Sequence, residues 1–174
     1  LPAAVMLAAE ALYASLLLLF FLTLIKDAAG LCLRAGRLFG STLHLPFTPG
    51  IRCVLLLSIA LAGGIWGTWQ AVKVPDVRTV DVSVPNLPAE LEGFTLVQLS
   101  DLHVGPVQDR DWLAAVVGKV NALSPDAVVI TGDMIDGLPG TLRGEVQPLG
   151  ELKARYGVFG VTGNHEYYYD ARGW

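Results

Sequence analysis

The sequence has few charged residues and lacks the cysteine patterns of small metal-binding or disulfide-linked domains. Only 16% of its 174 residues are charged and 53% are hydrophobic, a balance too apolar for an ordinary soluble domain. The formal net charge is -4, whereas a nucleic-acid partner would require a concentrated basic surface, so none is expected. Cys32 and Cys53 are far from Cys-x-x-Cys spacing, so the sequence indicates neither a zinc knuckle nor a disulfide framework.

The surplus of hydrophobic residues lies in the first 72 residues. Between Ala3 and Ile25 the only charged residue is Glu10. A run of about 20 apolar residues is long enough to span a hydrocarbon core of about 30 Å. A signal peptide is a poorer match, because the run lacks a basic leader and is followed by Lys26 and Asp27 rather than by a small-residue cleavage site. We therefore predict a first transmembrane helix over residues 3–25.

A second apolar run covers residues 51–72 and predicts a second transmembrane helix. Trp66 and Trp69 lie near its far end, and aromatic side chains favour the headgroup layer. Gly63 and Gly67 have GxxxG spacing, which permits close contact between helices.

The segment between the two spans is basic, which predicts the orientation in the membrane. It carries Lys26, Arg34, Arg37 and Arg52 against Asp27, whereas Lys73 and Arg78 beyond the second span are balanced by Asp76 and Asp81. The positive-inside rule then places the loop in the cytoplasm and the residues after Val72 outside. We expect a multi-pass protein of a bacterial-type inner (plasma) membrane, with its later residues on the periplasmic or extracellular face. The chain begins with Leu1 rather than Met, so we also expect an upstream segment.

Residues 73–93 are predicted to form a linker and an edge strand. Three prolines, Pro75, Pro85 and Pro88, favour extended linker and turns. Within this stretch Val80, Val82 and Val84 alternate with polar residues, the period of a half-buried strand. The following run, 94–99, is its expected hairpin partner.

Residues 94–174 show an alternation of strand and helix patterns. Strands are predicted over 94–99, 127–130 and 158–161, with an amphipathic helix over 109–123 and a weaker helical pattern from Pro148 to Arg155. Right-handed crossovers make such strands parallel, so their carboxyl ends share one edge of an α/β sheet. Ligands bind at this edge in open α/β sheets.

Each predicted strand is followed by side chains that can bind a metal. Asp101 and His103 follow the first strand, Asp133 the second, and Asn164 and His165 the third. Asp101 and His103 alternate by two, so on an extended backbone they would point to the same side and bind one ion. Asp133 would bridge two divalent cations, and Asn164 would bind the second with its amide oxygen. A metal-activated hydroxide would then attack phosphorus, with His165 protonating the leaving oxygen or stabilising the transition state.

Asp136 and Glu166 follow two of these ligand blocks. Either residue could orient a metal ligand through a hydrogen bond. Solvated acids at the surface are an equally good interpretation, so both alternatives stay open here.

Three blocks, "SDLHVG", "TGDMID" and "TGNHE", resemble the Asp-x-His, Gly-Asp and Gly-Asn-His-(Asp/Glu) blocks of the calcineurin-like metallophosphoesterase family. The resemblance covers roughly residues 78–174, the amino-terminal half of such a domain. It implies the first half of a β-sandwich flanked by helices and a two-metal site often occupied by Mn, Fe or Zn. It also implies that Asp101 and His103 bind the first metal, that Asp133 bridges, that Asn164 binds the second metal, and that His165 is catalytic.

Family members also use later histidines in Gly-His blocks. The only histidines here are His44, His103 and His165, so we expect the remaining ligands beyond Trp174. We expect this fragment alone to bind metal poorly and to be inactive.

The stretch "VSVPNLPAELEGFTLVQLSDLHVG" resembles the membrane-associated branch of the family, some of whose members cleave lipid-linked sugar pyrophosphates. The resemblance implies a membrane-anchored, metal-dependent phosphoesterase acting on a phosphoester or pyrophosphate, with a membrane lipid as one candidate substrate. The alternative is a truncated, non-catalytic membrane scaffold that retains part of a metal site. A transporter would need polar groups within the spans, where Glu10 is the only charged residue.

Overall fold

The computed structural model describes residues 2–174, which divide into two compact units. We refer to the residues up to Val72 as the helical unit and to Lys73–Trp174 as the α/β unit.

The helical unit consists of α1 (Ala3–Arg37) and α2 (Pro49–Val72), which pack against each other. Both helices are long and apolar enough to cross a membrane, which confirms the two predicted candidate spans. At about 1.5 Å per residue α1 is about 52 Å long, so it continues well beyond a bilayer core of about 30 Å. The helix extends past Ile25 because the residues that follow the apolar run are mostly Ala, Leu, Lys and Arg, which favour helix.

Small residues form the contact between α1 and α2, but they are not the Gly63 and Gly67 pair that the sequence pattern indicated. Ala60 and Gly64 are buried in α2, and Ser15 is buried on the facing side of α1. A Cβ atom on Gly64 would lie 2.8 Å from the backbone nitrogen of Ser15, whereas one on Gly67 would meet nothing within 4 Å. The predicted contribution of Gly67 to the contact is therefore wrong. The small-residue contact is Ala60-x-x-x-Gly64, with Gly63 facing α1 beside it.

The predicted edge strand over Val80–Val84 is wrong. Residues 74–84 have no regular secondary structure, and the side chains of Val80, Val82 and Val84 are exposed. A period-two pattern supplies an apolar face, but a strand also needs a hydrogen-bonded neighbour, and within residues 2–174 none lies alongside this segment. A short 3-10 helix, Ala89–Leu91, follows.

The α/β unit contains three parallel strands in the order β1 (Leu96–Leu99), β2 (Ala127–Thr131) and β3 (Val158–Val161). The register pairs Leu99 with Ile130 and Ile130 with Gly160. This arrangement confirms the predicted parallel α/β sheet and its shared carboxyl edge. The order of strands and helices agrees with the expected first half of a calcineurin-like domain.

Helix α3 (Arg110–Ala122) connects β1 to β2 and covers the sheet. Asp109 caps it by accepting a hydrogen bond from the backbone nitrogen of Trp112 at 3.0 Å. The buried face consists of Leu113, Val116, Val117 and Val120, which join Val104, Val128 and Ile135 in one core.

The connection from β2 to β3 differs from the prediction. It contains a short helix, α4 (Pro139–Leu142), and a 3-10 helix over Gln147–Glu151, so the helix predicted to continue to Arg155 ends early. The backbone turns extended at Leu152 because the next amide, that of Lys153, donates to the side chain of Asn121 in α3 at 2.8 Å. A last short helix, α5 (Asn164–Tyr168), follows β3.

Candidate metal centre

The five predicted site residues lie at the carboxyl edge of the sheet. Asp101 and His103 follow β1, Asp133 follows β2, and Asn164 and His165 begin α5 directly after β3. Because the three strands are parallel and in register, their ends bring these loops together.

The loops after β1 and β2 are joined by backbone hydrogen bonds and share an unusual conformation. The amide of His103 donates to the carbonyl of Asp133 at 3.0 Å, and the amide of Asp101 donates to Gly132 at 3.3 Å. Asp101, His103 and Asp133 have φ values of 54°, 44° and 51°. Positive φ is uncommon outside glycine, although Asp and His tolerate it better than most residues. The expected extended backbone between Asp101 and His103 is therefore wrong, because left-handed turns bring their side chains together.

Asp101, His103 and Asp133 form the first cluster of ligand atoms. One donor atom from each lies within 4.8 Å of the others, and Nε2 of His103 is 4.0 Å from Oδ1 of Asp101. Two carboxylates and one imidazole are the donor types preferred by Mn, Fe and Zn ions. The residues present fit a divalent cation.

Asp136 connects two histidines and forms the second cluster. Its Oδ1 lies 2.9 Å from Nδ1 of His103 and 2.5 Å from Nδ1 of His165, and the two rings are 4.4 Å apart at 85°. An ionised carboxylate only accepts hydrogen bonds, so each imidazole carries its proton on Nδ1. Nε2 of each ring is therefore the nitrogen left for chemistry.

The geometry assigns different tasks to the two clusters. His103, Asp136 and His165 also lie within 4.8 Å of one another and offer three possible ligand atoms. However, the short Nδ1 to carboxylate distances are those of hydrogen bonds, and Nε2 of His103 faces Asp101 instead. Asp136 therefore orients both imidazoles, as carboxylates commonly orient metal-binding histidines.

Glu166 joins the loops that follow β2 and β3. Its side chain is fully buried and accepts hydrogen bonds from the backbone nitrogens of Asp133 at 3.0 Å, Met134 at 2.6 Å and Gly163 at 2.6 Å. Of the two alternatives for this residue, the solvated surface acid is wrong. The sequence signal for this role was the position of Glu166 three residues after Gly163, the residue that precedes α5. A Glu side chain at this position commonly accepts a hydrogen bond from the backbone nitrogen of the residue that precedes the helix.

Two glycines let these loops approach each other closely. A Cβ atom on Gly163 would lie 2.5 Å from the backbone nitrogen of Asp133, and one on Gly132 would lie 2.5 Å from the nitrogen of Gly163. Gly132 also has a φ of +92°, which side chains rarely permit. The close approach lets the carboxylate of Asp133 accept a hydrogen bond from the amide of His165 at 2.9 Å.

Asn164 is exposed at the start of α5, next to His165. It lies at the same sheet edge as the ligand cluster. Binding of a metal by its amide oxygen stays a prediction.

The sequence of this chain is similar to a known protein family. The family model described as Calcineurin-like phosphoesterase matches residues 94–174. The Danio rerio protein named Transmembrane protein with metallophosphoesterase domain is 43% identical over 124 residues, covering 71% of this chain and 28% of that protein. Its namesake from Bos taurus is 41% identical over 135 residues, covering 78% of this chain and 30% of that protein.

A bacterial relative carries a more specific name. The Chlamydia muridarum protein named UDP-2,3-diacylglucosamine pyrophosphatase LpxG is 33% identical over 110 residues, covering 59% of this chain and 32% of that protein. The chain thus spans less than a third of the length of each of these three relatives. No solved structure matches the chain.

The three motif blocks meet at one sheet edge, and all three lie within the segment that the family model matches. Through residues 94–174 the chain belongs to the calcineurin-like phosphoesterase family, and two of its relatives are named as transmembrane proteins.

Proposed function

We propose that the whole protein is a membrane-anchored, metal-dependent phosphoesterase that hydrolyses a phosphoester or pyrophosphate bond. The observation that carries this proposal is the cluster of Asp101, His103 and Asp133 beside the Asp136–His165 pair. The family is one of phosphoesterases, and the two apolar helices would supply a membrane anchor.

Asp101, His103 and Asp133 would hold one divalent cation, and Asp133 and Asn164 would contribute to a second. Mn, Fe and Zn are the candidates because the donors combine carboxylate, amide oxygen and imidazole. Such cations, when bound, withdraw charge from a phosphoryl oxygen and make water more acidic.

His165 in its imidazolium form, with a proton on Nε2 as well as on Nδ1, would act as the general acid for the leaving oxygen. Asp136 accepts the hydrogen bond at Nδ1 of His165, so the ring is held in one orientation with Nε2 directed away from that carboxylate. His165 is only partly exposed, which leaves an edge of the imidazole accessible to a substrate. A well-placed general acid contributes about 10²- to 10⁴-fold to a rate.

A lipid-linked pyrophosphate is the substrate class that we propose. The Chlamydia relative is named for a pyrophosphatase acting on a diacylated sugar nucleotide, a molecule with acyl chains. A phosphoesterase tethered to a bilayer by two apolar helices stays near such a substrate.

We further propose a bacterial-type inner membrane location with the α/β unit on the periplasmic or extracellular side. The basic residues between α1 and α2 support this orientation. A reporter enzyme fused after Trp69 should be active only if exported, and a cytoplasmic signal would reverse the orientation.

The activity is tested by the substitution Asp133→Asn in the whole purified protein. Asn keeps an oxygen that can accept from the amide of His165 but removes the charge that a bridging ligand needs. With Mn²⁺ and bis(p-nitrophenyl) phosphate, we expect hydrolysis to fall by more than about 100-fold, since even loss of a residue that only supports a ligand costs 10- to 100-fold. Asp111→Asn, an exposed acid on α3, is the matched control and should leave the rate unchanged.

Equal rates for Asp133→Asn and the unsubstituted protein would contradict the bridging role. If the unsubstituted whole protein hydrolyses no phosphoester or pyrophosphate with any of the three metals, the non-catalytic scaffold becomes the better account.

A further inference from the structure

A cleft of about 610 Å³ lies between α1 and α2 within the helical unit. Its size is in the range of about 300 to 1,000 Å³ that small-molecule sites occupy. One part of its wall is apolar and includes Leu19, Leu56 and Leu57, and the other part carries charged side chains. The cleft is separate from the metal centre, which belongs to the α/β unit.

The cleft lies where the apolar part of the helix pair ends. In α1 its lining passes from Leu19 and Thr23 to Lys26, the first basic residue after the apolar run. In α2 it includes the first turn, with Pro49 and Arg52. For helices that cross a bilayer, this change from apolar to charged side chains marks the boundary between hydrocarbon and headgroups.

The charged wall has an excess of positive charge. Lys26, Arg34 and Arg52 line it against a single carboxylate, that of Asp27. Asp27 lies 2.9 Å from Lys26, but its side chain is 71% exposed, so this ion pair is weak and screened by water.

Within residues 2–174 neither Arg34 nor Arg52 forms an ion pair with a carboxylate. The guanidinium of Arg52 donates to the carbonyls of Pro46 at 3.2 Å and Phe47 at 2.6 Å, which are neutral acceptors. Within residues 2–174 the side chain of Arg34 makes no hydrogen bond and no ion pair. An acidic ligand in the cleft would therefore meet a guanidinium that has no competing carboxylate.

We propose that this cleft binds the phosphate headgroup of an anionic glycerophospholipid, with the first part of its acyl chains along the leucine wall. Guanidinium groups bind phosphate through paired, charge-assisted hydrogen bonds. Basic pockets between transmembrane helices recognise anionic headgroups in this way. The occupant is a lipid rather than free phosphate because the cleft has an apolar wall beside its cations. This assignment is independent of the proposed phosphoesterase activity.

The test measures lipid binding to the whole protein in a neutral, non-ionic detergent. Phosphatidylglycerol and phosphatidylcholine of the same acyl chains are titrated separately, and protein-bound lipid is counted by native mass spectrometry. We expect phosphatidylglycerol to bind more tightly than phosphatidylcholine. Arg34→Gln should weaken phosphatidylglycerol binding by about fivefold, the effect of one basic residue near an anionic lipid surface, and should weaken phosphatidylcholine binding less, because the ammonium of that lipid offsets its phosphate charge.

Arg37→Gln is the matched control, because Arg37 lies in the same last turn of α1 but does not line the cleft. It should leave the affinity for phosphatidylglycerol unchanged, and Arg34→Lys should restore part of the affinity lost in Arg34→Gln. Within residues 2–174 neither the Arg34 nor the Arg37 side chain makes a hydrogen bond or an ion pair, so substitutions at both positions should preserve folding.

Three results would overturn the proposal. Equal affinities for the two lipids would show that the cleft does not distinguish an anionic headgroup from a zwitterionic one. An equal loss in Arg37→Gln would show attraction by the basic segment as a whole. Displacement of phosphatidylglycerol by an equimolar concentration of inorganic phosphate would identify a site for free phosphate.

Discussion

The two units of this chain differ in whether they bury a cluster of large apolar side chains. In the helical unit Phe20 and Leu24 are 59% and 55% exposed, whereas in the α/β unit Val104, Leu113 and Val128 are fully buried. A water-soluble fold buries such side chains, but a helix pair in lipid can direct them outward because hydrocarbon is its solvent. The helical unit thus has the exposed apolar surface of two candidate membrane spans, whereas the α/β unit has a buried core.

Their internal contacts differ in the same sense. The helices approach each other where Gly64 faces Ser15, so this contact depends on the absence of a side chain. The sheet edge of the α/β unit is held instead by a buried carboxylate, that of Glu166. Substitutions that add volume should therefore destabilise the helical unit most, and substitutions that remove a hydrogen-bond partner should destabilise the α/β unit most.

The largest effect on stability is expected for Glu166→Ala in the α/β unit. Three backbone amides would lose their acceptor in a buried place, which should cost about 3 kcal/mol or more in the free energy of unfolding. Thermal unfolding of the whole protein, followed by near-ultraviolet circular dichroism, should show a lower midpoint. Glu90→Ala, at an exposed position, should leave the midpoint unchanged, and a similar midpoint for both variants would remove the proposed role of Glu166.

The next effect concerns Asp136, whose carboxylate orients both imidazoles. Asp136→Ala should lower kcat by about 10- to 100-fold, the usual cost of losing a group that orients a ligand. KM should change little, and Asp136→Asn should recover part of the rate because its oxygen can still accept from Nδ1. Steady-state hydrolysis with Mn²⁺ measures this, with Asp111→Ala as control; no recovery in Asp136→Asn would contradict a purely orienting role.

The smallest effect is expected in the helical unit. Gly64→Ala places a methyl group against the backbone of α1 and should destabilise the helix pair by about 1 kcal/mol. Gly67→Ala adds the same methyl group in open space and should be neutral. Unfolding in mixed micelles of a mild detergent and sodium dodecyl sulfate compares the two. Equal effects of the two substitutions would contradict the packing account, because Ala favours helix over Gly at both positions and only Gly64 faces α1 closely.

The sequence predicted the elements whose signal is local and repeated. The two apolar helices follow from composition, and the parallel strands follow from short apolar runs separated by the pattern of α3. The sequence predicted Asp101, His103 and Asp133 as ligands because they follow strands, and the parallel topology brings the three side chains together.

The sequence could not predict features that depend on distant partners. The left-handed turns at Asp101 and His103 are bound to the loop after β2, and φ at such residues has no sequence signature. The alternation of Val80, Val82 and Val84 predicted a strand because the pattern does not reveal whether a neighbour is present. Glu166 had two open interpretations, since its three amide partners lie in two different loops.

The central claim is that the sheet edge holds a divalent cation between Asp101, His103 and Asp133. Anomalous X-ray diffraction from crystals of the whole protein grown with Mn²⁺ tests it most directly. We predict an anomalous peak within about 2.0 to 2.3 Å of a carboxylate oxygen of Asp101 and of Asp133 and of Nε2 of His103, the ligand distances of such ions. A peak surrounded instead by Asp136 and the Nδ1 atoms of His103 and His165, or no peak at this edge, would contradict the account.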